Sequence, residues 1–246
     1  MENENQAQNQ KIFGKNPILE SLDSDLSINK IWIADNPNPK LKEIETKARA
    51  KNIPIMKIGK KDLDRIADGE DHRSAIAEIA PVKILEEDYL YENDLKRILI
   101  PLNIEDPHNL GAIMRSALAF KVDAVVIGKH KSCPVNATVL RVSAGAASRL
   151  PIVRVGNIVN CLEKLKKQQF WVYGSHLDKD KSTSLYETDF DSKSVILVGN
   201  EGKGLSDNII KHCDFQIHIP IEFESLNVSV ATGIILSRCY ASASEN

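Results

Sequence analysis

Three short stretches hold residue types that do chemistry at close spacing. In "NIEDPHNLGAIMRSA" (103–117), Asn109 stands shortly before Arg115. In "VILVGNEGKGL" (195–205), Gly199, Gly202 and Gly204 alternate with Asn200, Glu201 and Lys203. In "IHIPIEFESLNVSVATGIIL" (217–236), Ser225, Asn227 and Ser229 crowd the point where an apolar run gives way to a helical pattern. The glycine stretch says most about a ligand. A phosphate loop needs Lys and a hydroxyl after its last glycine, to meet phosphate and Mg²⁺. Here Lys203 precedes Gly204 and Leu205 follows it. The dinucleotide spacing G-x-G-x-x-G is also absent, and Glu201 would repel a phosphate. The loop suits a ligand with a positive centre. Arg115 points away from the apolar stripe of its segment. It reads either as a solvated surface arginine or as one aimed at a phosphate or an alkoxide. Helix capping accounts for one of Ser225, Asn227 and Ser229 better than for all three.

These stretches need elements to position them. "ILIPLNI" (98–104), "AVVIG" (124–128), "LPIVRV" (150–155), "FWVYGSH" (170–176), "VILVGN" (195–200) and "FQIHIPI" (215–221) are nearly unbroken apolar runs. Such runs suit strands buried on both faces, hence a mainly parallel sheet. Helical patterns fall between them, at 136–149, 157–169, 206–213 and 227–242. The clearest is "LGAIMRSALAFK", where Leu110, Ile113, Met114, Ala117 and Leu118 keep helical spacing. Asn109 is its expected N-cap, and Ser206 that of the helix after the glycine loop. Strand, glycine loop, helix is the order that puts a ligand at the C-terminal edge of a parallel sheet.

An earlier block, 11–81, alternates strands at 30–34, 53–58 and 74–80 with helices at 39–52 and 60–68, and so predicts a small α/β domain. Between the blocks lies the acidic stretch 82–97, which reads either as a linker or as a solvated helix. Residues 1–10, "MENENQAQNQ", read as a disordered polar tail without the apolar core of a signal peptide. No apolar run reaches the ~18 residues of a membrane span. Hydrophobic residues make up 42% and charged residues 27%, the balance of a soluble globular protein. Cys133, Cys161, Cys213 and Cys239 lie far apart with no C-x-x-C pair, which fits a reduced cytoplasmic setting and gives no metal site. The formal net charge of -2 means that any nucleic acid must meet a local patch. Candidates are Lys57, Lys60, Lys61, Arg65 and Arg73 in the first block, and Lys129 and Lys131 in the second.

Taken together, the three stretches resemble the motifs of the SpoU class of RNA 2′-O-ribose methyltransferases, in the TrmH family of the SPOUT superfamily. "DPHNLGAIMRSA" is similar to its N-x-G-x-x-x-R, "LVGNEGKGL" to its G-x-E-x-x-G, and "IPIEFESLNVSVATGI" to its I-P…S-L-N-V-S-V-A. The first block resembles the ribosomal-protein-L30-like domain of one subgroup, with "IFGKNPILESL" and "DHRSAIAEIAP" at its ends. Two departures stand out. The stretch from Pro220 to Asn227 is about two residues shorter than usual and lacks a glycine. A His-Gln-Gly-Val turn appears as His72-Arg73-Ser74-Ala75.

The resemblance implies an L30-like N-terminal domain and a SPOUT α/β domain over 98–246, with a C-terminal trefoil knot. It implies S-adenosyl-L-methionine as cofactor, held by Gly199, Asn200, Gly202, Ile219, Pro220, Leu226 and Ser229. Methyl transfer to a ribose hydroxyl would then centre on Arg115, with Asn109, Glu201, Ser225 and Asn227 completing the site. A homodimer acting on RNA is implied, most closely on a guanosine of 23S rRNA. Two alternatives are a tRNA ribose methyltransferase and a non-catalytic RNA-binding protein that keeps the fold.

Overall fold

The structure, a computed structural model, describes residues 10–24, 26–36, 38–200, 202, 204–222 and 224–242. Residues 1–9 of the expected tail, Glu201 and Lys203 lie outside the described residues. The chain divides into two compact units.

The first unit runs to Val82 and also includes Val135–Ser148. It contains β1 (Gln10–Phe13), α1 (Lys15–Leu22), β2 (Ile28–Ala34), α2 (Pro39–Ala50), β3 (Ile55–Ile58), α3 (Lys60–Ala67) and β4 (Ala75–Ile79). Its sheet has the order β1-β4-β2-β3. Strands β2 and β3 are parallel, and β4 is antiparallel to both β1 and β2. Sequence grammar explains α2. Pro39 sits in its first turn, the Asn38 side chain accepts from the Lys40 N–H at 3.0 Å, and Leu41, Ile44 and Ala48 are buried. Gln10 opens a strand rather than ending a tail. Gly14, at φ +93°, turns that strand directly into α1.

The second unit comprises Lys83–Pro134 and the chain from Arg149 onward. Its elements begin with β5 (Ile84–Leu85), α4 (Tyr89–Glu92), β6 (Arg97–Pro101), α5 (Pro107–Ala119) and β7 (Ala124–Gly128). After α6 (Ala137–Val142) and α7 (Ala146–Arg149) come β8 (Ile152–Val155), α8 (Ile158–Lys167), β9 (Trp171–Ser175), β10 (Thr183–Ser184), β11 (Ser194–Val198), α9 (Asp207–Ile210), β12 (Phe215–His218) and α10 (Val228–Ser242). The eight strands form one sheet in the order β10-β12-β9-β11-β6-β7-β8-β5, and every pairing in it is parallel. All five residues of β6 and of β11 are buried, as the unbroken apolar runs require.

Three local expectations change. The helix expected over 136–149 is split, because Ala144 (φ +50°) and Gly145 (φ +83°) both leave right-handed geometry. Its first half packs on the first unit: the Gln10 side-chain amide donates to the Val135 carbonyl at 2.7 Å, and Arg141 pairs with Glu20 at 3.4 Å. Helix α5 starts at Pro107, before Leu110. Asp106, not Asn109, is its N-cap and accepts from the His108 N–H at 3.0 Å. Ser206 stands at the cap position of α9, but its side chain makes no capping hydrogen bond.

The acidic stretch 82–97 is not a bare connection. β5 pairs with β8, and Leu90 and Leu95 enter the core of the second unit. Leu90 is fully buried, so Leu90→Ala should cost about 2–5 kcal/mol in urea unfolding. A loss below about 0.5 kcal/mol, the range of surface sites, would restore the linker reading.

Among the described residues, no three His, Cys, Asp or Glu groups are arranged to hold a metal, and no helix is long and apolar enough to cross a membrane. All four cysteines are free thiols. Burial pushes the Cys161 and Cys213 thiols up to about 11.

Candidate active site

The C-terminal ends of three adjacent strands, β12, β9 and β11, open onto one cavity. This is where parallel sheets place ligands, since the loops leaving neighbouring strands converge there. Its walls are largely aliphatic: Leu177, Ile217, Ile219, Leu226, Val228 and Ile235. Polar groups come from Ser175, His176, Lys179, Asn200, His218 and Ser225, and a carboxylate comes from Glu224.

The glycine loop forms one wall by folding back on itself. The Gly204 N–H donates to the Asn200 carbonyl at 2.9 Å, and the Gly202 N–H to Asn200 Oδ1 at 3.1 Å. Gly204 sits at φ +62°. A Cβ on Gly199 would overlap the Gly204 carbonyl, so only glycine permits this crossing of backbone on backbone.

Two asparagine contacts bring the three sequence stretches together. Asn200 Nδ2 donates to the Asn103 carbonyl at 3.2 Å, tying the glycine loop to the segment after β6. Asn227 Nδ2 donates to Asn109 Oδ1 at 3.0 Å, across 118 positions of sequence. Asn227 Oδ1 also accepts from the Ser229 N–H at 2.9 Å and the Ser229 hydroxyl at 2.6 Å, which caps α10. One side chain therefore both starts α10 and holds Asn109. Asn227→Ala should cost about 1 kcal/mol of stability through the cap. The methyl transfer implied by the sequence motifs should also fall, with cofactor affinity little changed, as read by urea unfolding, single-turnover assay and calorimetry. Unaltered transfer would reduce Asn227 to a cap alone.

The candidate residues fall into groups. Gly199, Asn200, Ile219, Ser225 and Leu226 line the cavity. Gly202 and Pro220 belong to the same two loops without lining it, and Ser229 faces a separate groove along α10. Asn109 and Asn227 meet each other beside it. Arg115 is exposed on α5, off the cavity, and makes no hydrogen bond or ion pair among the described residues.

Sequence reasoning passed over the loop after β9. Lys179 Nζ donates to the Ile221 carbonyl at 2.8 Å, and Ser182 Oγ lies 3.0 Å from His218 Nδ1. The loop thus braces the stretch between Pro220 and Asn227, where the motif is short. Its only signal was position, at the end of a buried strand.

Of the basic residues proposed for RNA, Lys57 pairs with Glu45, Arg65 with Asp62 and Arg73 with Asp71. Lys60 and Lys61 have no ion-pair partner among the described residues and are exposed, as are Lys129 and Lys131.

The profile of the SpoU rRNA Methylase family matches residues 96–237. This chain belongs to that family. The profile described as RNA 2'-O ribose methyltransferase substrate binding matches residues 11–85. Among relatives of this SpoU methylase, the 23S rRNA (guanosine-2'-O-)-methyltransferase RlmB of Xanthomonas campestris is 41% identical over 238 residues, covering 93% of this chain and 95% of that protein. The solved A. aeolicus TrmH/SpoU tRNA modifying enzyme is 31% identical, with a TM-score of 0.57 over 65% of this chain and 81% of its own. The SpoU methyltransferase AviRb from Streptomyces viridochromogenes, solved in complex with AdoMet, has a TM-score of 0.69 over 96% of this chain and 90% of its own. At 19% identity, that last likeness is one of fold.

Proposed function

We propose that this protein transfers the methyl group of S-adenosylmethionine to the 2′-hydroxyl of a guanosine ribose in 23S rRNA. The observation that carries this reading is the 41% identity to RlmB over nearly the whole of both chains. The cavity fits the cofactor on two counts. Its aliphatic walls suit a flat adenine ring, and the backbone crossing at Gly199 lets loop amides and carbonyls come close to a ligand. The Glu224 carboxylate adds negative charge beside a positive ligand.

When bound, the cofactor supplies an electrophilic methyl on a sulfonium. The protein's own task is to align the ribose and favour its developing alkoxide. Arg115 takes the second role, by clamping an RNA phosphate or the alkoxide itself. It does not serve as the base, because a guanidinium stays protonated in almost any site. Asn109, held by Asn227, positions the ribose or Arg115, and Ser225 lies at the cavity wall facing the same reaction. Glu201 orients Arg115 in the role its motif implies.

The same reading includes an L30-like RNA-binding domain over 11–81, a trefoil knot in the loops after β11 and β12, and a cytoplasmic homodimer. Dimerisation is supported by a groove along α5 and α10, lined by Ser116, Phe120, Gly233 and Ile234, where Val230 is 50% exposed.

Single-turnover assays with labelled cofactor should methylate a 23S rRNA fragment and leave tRNA unmodified. Methylation of tRNA with rRNA unmodified would transfer the reading to the tRNA alternative. RNA binding without cofactor binding would leave the non-catalytic one.

A further inference from the structure

At the opposite end of the sheet from the cavity, the first residues of β9 and β12 present aromatic side chains. Trp171 is 45% exposed and Phe215 is 43% exposed, though both are large and apolar. Trp171 and Phe215 rings lie 5.7 Å apart. Phe215 stacks on Tyr173 at 4.9 Å, and Tyr173 packs on Phe190 at 4.7 Å. These four rings line one concavity together with Asp189, Asp191 and Ser192.

The carboxylate-bearing segment is held in place. The Tyr173 hydroxyl donates to the Asp189 carbonyl at 3.3 Å and accepts from the Asp191 N–H at 3.0 Å. Asp191 Oδ1 accepts from the Lys193 N–H at 3.1 Å. Neither carboxylate has an ion-pair partner among the described residues. Two lysines of this part of the unit are engaged elsewhere: Lys193 lies over the Phe170 ring, and Lys166 pairs with Asp214 at 2.7 Å.

Of the four rings, those of Trp171 and Phe215 reach the surface while Tyr173 and Phe190 are buried behind them. Exposed aromatic rings attract cations through their quadrupole, and flanking carboxylates add to that attraction. The same carboxylates repel a phosphate backbone, which argues against a stacked RNA base. We propose that this concavity is a docking site for a lysine or arginine side chain of a basic polypeptide partner. The site lies away from the methyl-transfer cavity and does not depend on that reaction.

The full-length protein, with its tryptophan indoles labelled with ¹⁵N, tests this. The chain has two tryptophans, Trp32 and Trp171, and loss of one signal in Trp171→Phe assigns the pair. An acetylated, amidated hexa-arginine peptide should shift the Trp171 signal saturably and leave Trp32 in place. The pair Asp189→Asn and Asp191→Asn should weaken that binding about fivefold, as loss of two exposed ion pairs does. Trp171→Ala, followed by calorimetry, should weaken it by a similar factor. Methylation rate and melting temperature should stay unchanged in the asparagine variant. An unmoved Trp171 signal, equal affinity in the asparagine variant, or a shift caused more readily by oligouridylate would each overturn the proposal. So would burial of Trp171 on raising the protein concentration alone, which would make the occupant a second copy of this chain.

Discussion

Replacing Arg115 with alanine should lower methyl transfer by a factor on the order of 10² or more, the usual cost of removing a charge-stabilising donor. The fold should hardly notice. Arg115 is exposed on α5, while Leu110, Ile113, Met114 and Ala117 of that helix are buried. Surface changes of this kind move stability by about 0.5 kcal/mol or less. Cofactor affinity should also change little, because Arg115 does not line the cavity. Arg115→Lys keeps the charge but loses the planar fork, and should restore little activity. Single-turnover methylation of an rRNA fragment, with cofactor binding and melting in parallel, reads all three quantities. Near-normal transfer by Arg115→Ala would leave only a surface arginine. A large drop in melting temperature would make the residue structural.

Gly199→Ala should weaken cofactor binding by a factor on the order of 10². The added Cβ would overlap backbone atoms of Gly204, which cannot swing away as a side-chain end can. Gly204 must shift, and the hydrogen bond from its N–H to the Asn200 carbonyl goes with it. Gly199, Asn200 and Gly204 all line the cavity. Overpacking at such a site also costs about 1–3 kcal/mol of stability. At Gly202 a Cβ would meet nothing within 4 Å, so Gly202→Ala should leave stability nearly unchanged and serves as the control for the overpacking cost. Calorimetric titration with S-adenosylmethionine, beside urea unfolding, separates the two effects. Binding by Gly199→Ala within about twofold of the parent protein would mean that the crossing does not shape the site.

Much of this protein is local in origin. Unbroken apolar runs can be strands only where both faces are covered, so they announced a parallel sheet with helices around it, and β7 falls on residues 124–128 as read. The glycine spacing excluded a phosphate loop without reference to any fold. Gly199, Asn200 and Asn227 stood out by type and position, while the site roles of these residues and of Asn109 came from the motif resemblance. Cap positions were less secure. Asp106 and Pro107 out-competed Asn109 because proline tolerates the first helical turn, where it has no N–H to lose.

Other features could be decided only by tertiary packing. Strand order is one, since a buried strand carries no mark of its neighbours. The two-residue strands β5 and β10 are too short to show a period, and exist because an open sheet edge accepts them. Residues 135–148 follow the first unit because α6 packs there, which no local pattern encodes. The contact between Asn109 and Asn227 depends on α5 and α10 lying side by side. Residue types and spacings along the chain marked the loops and helix starts, because caps, turns and periodicity act over a few residues, while the chemistry came from the resemblance of the three motifs to a known family. The geometry that joins them came from packing, because it acts between segments that the sequence keeps far apart.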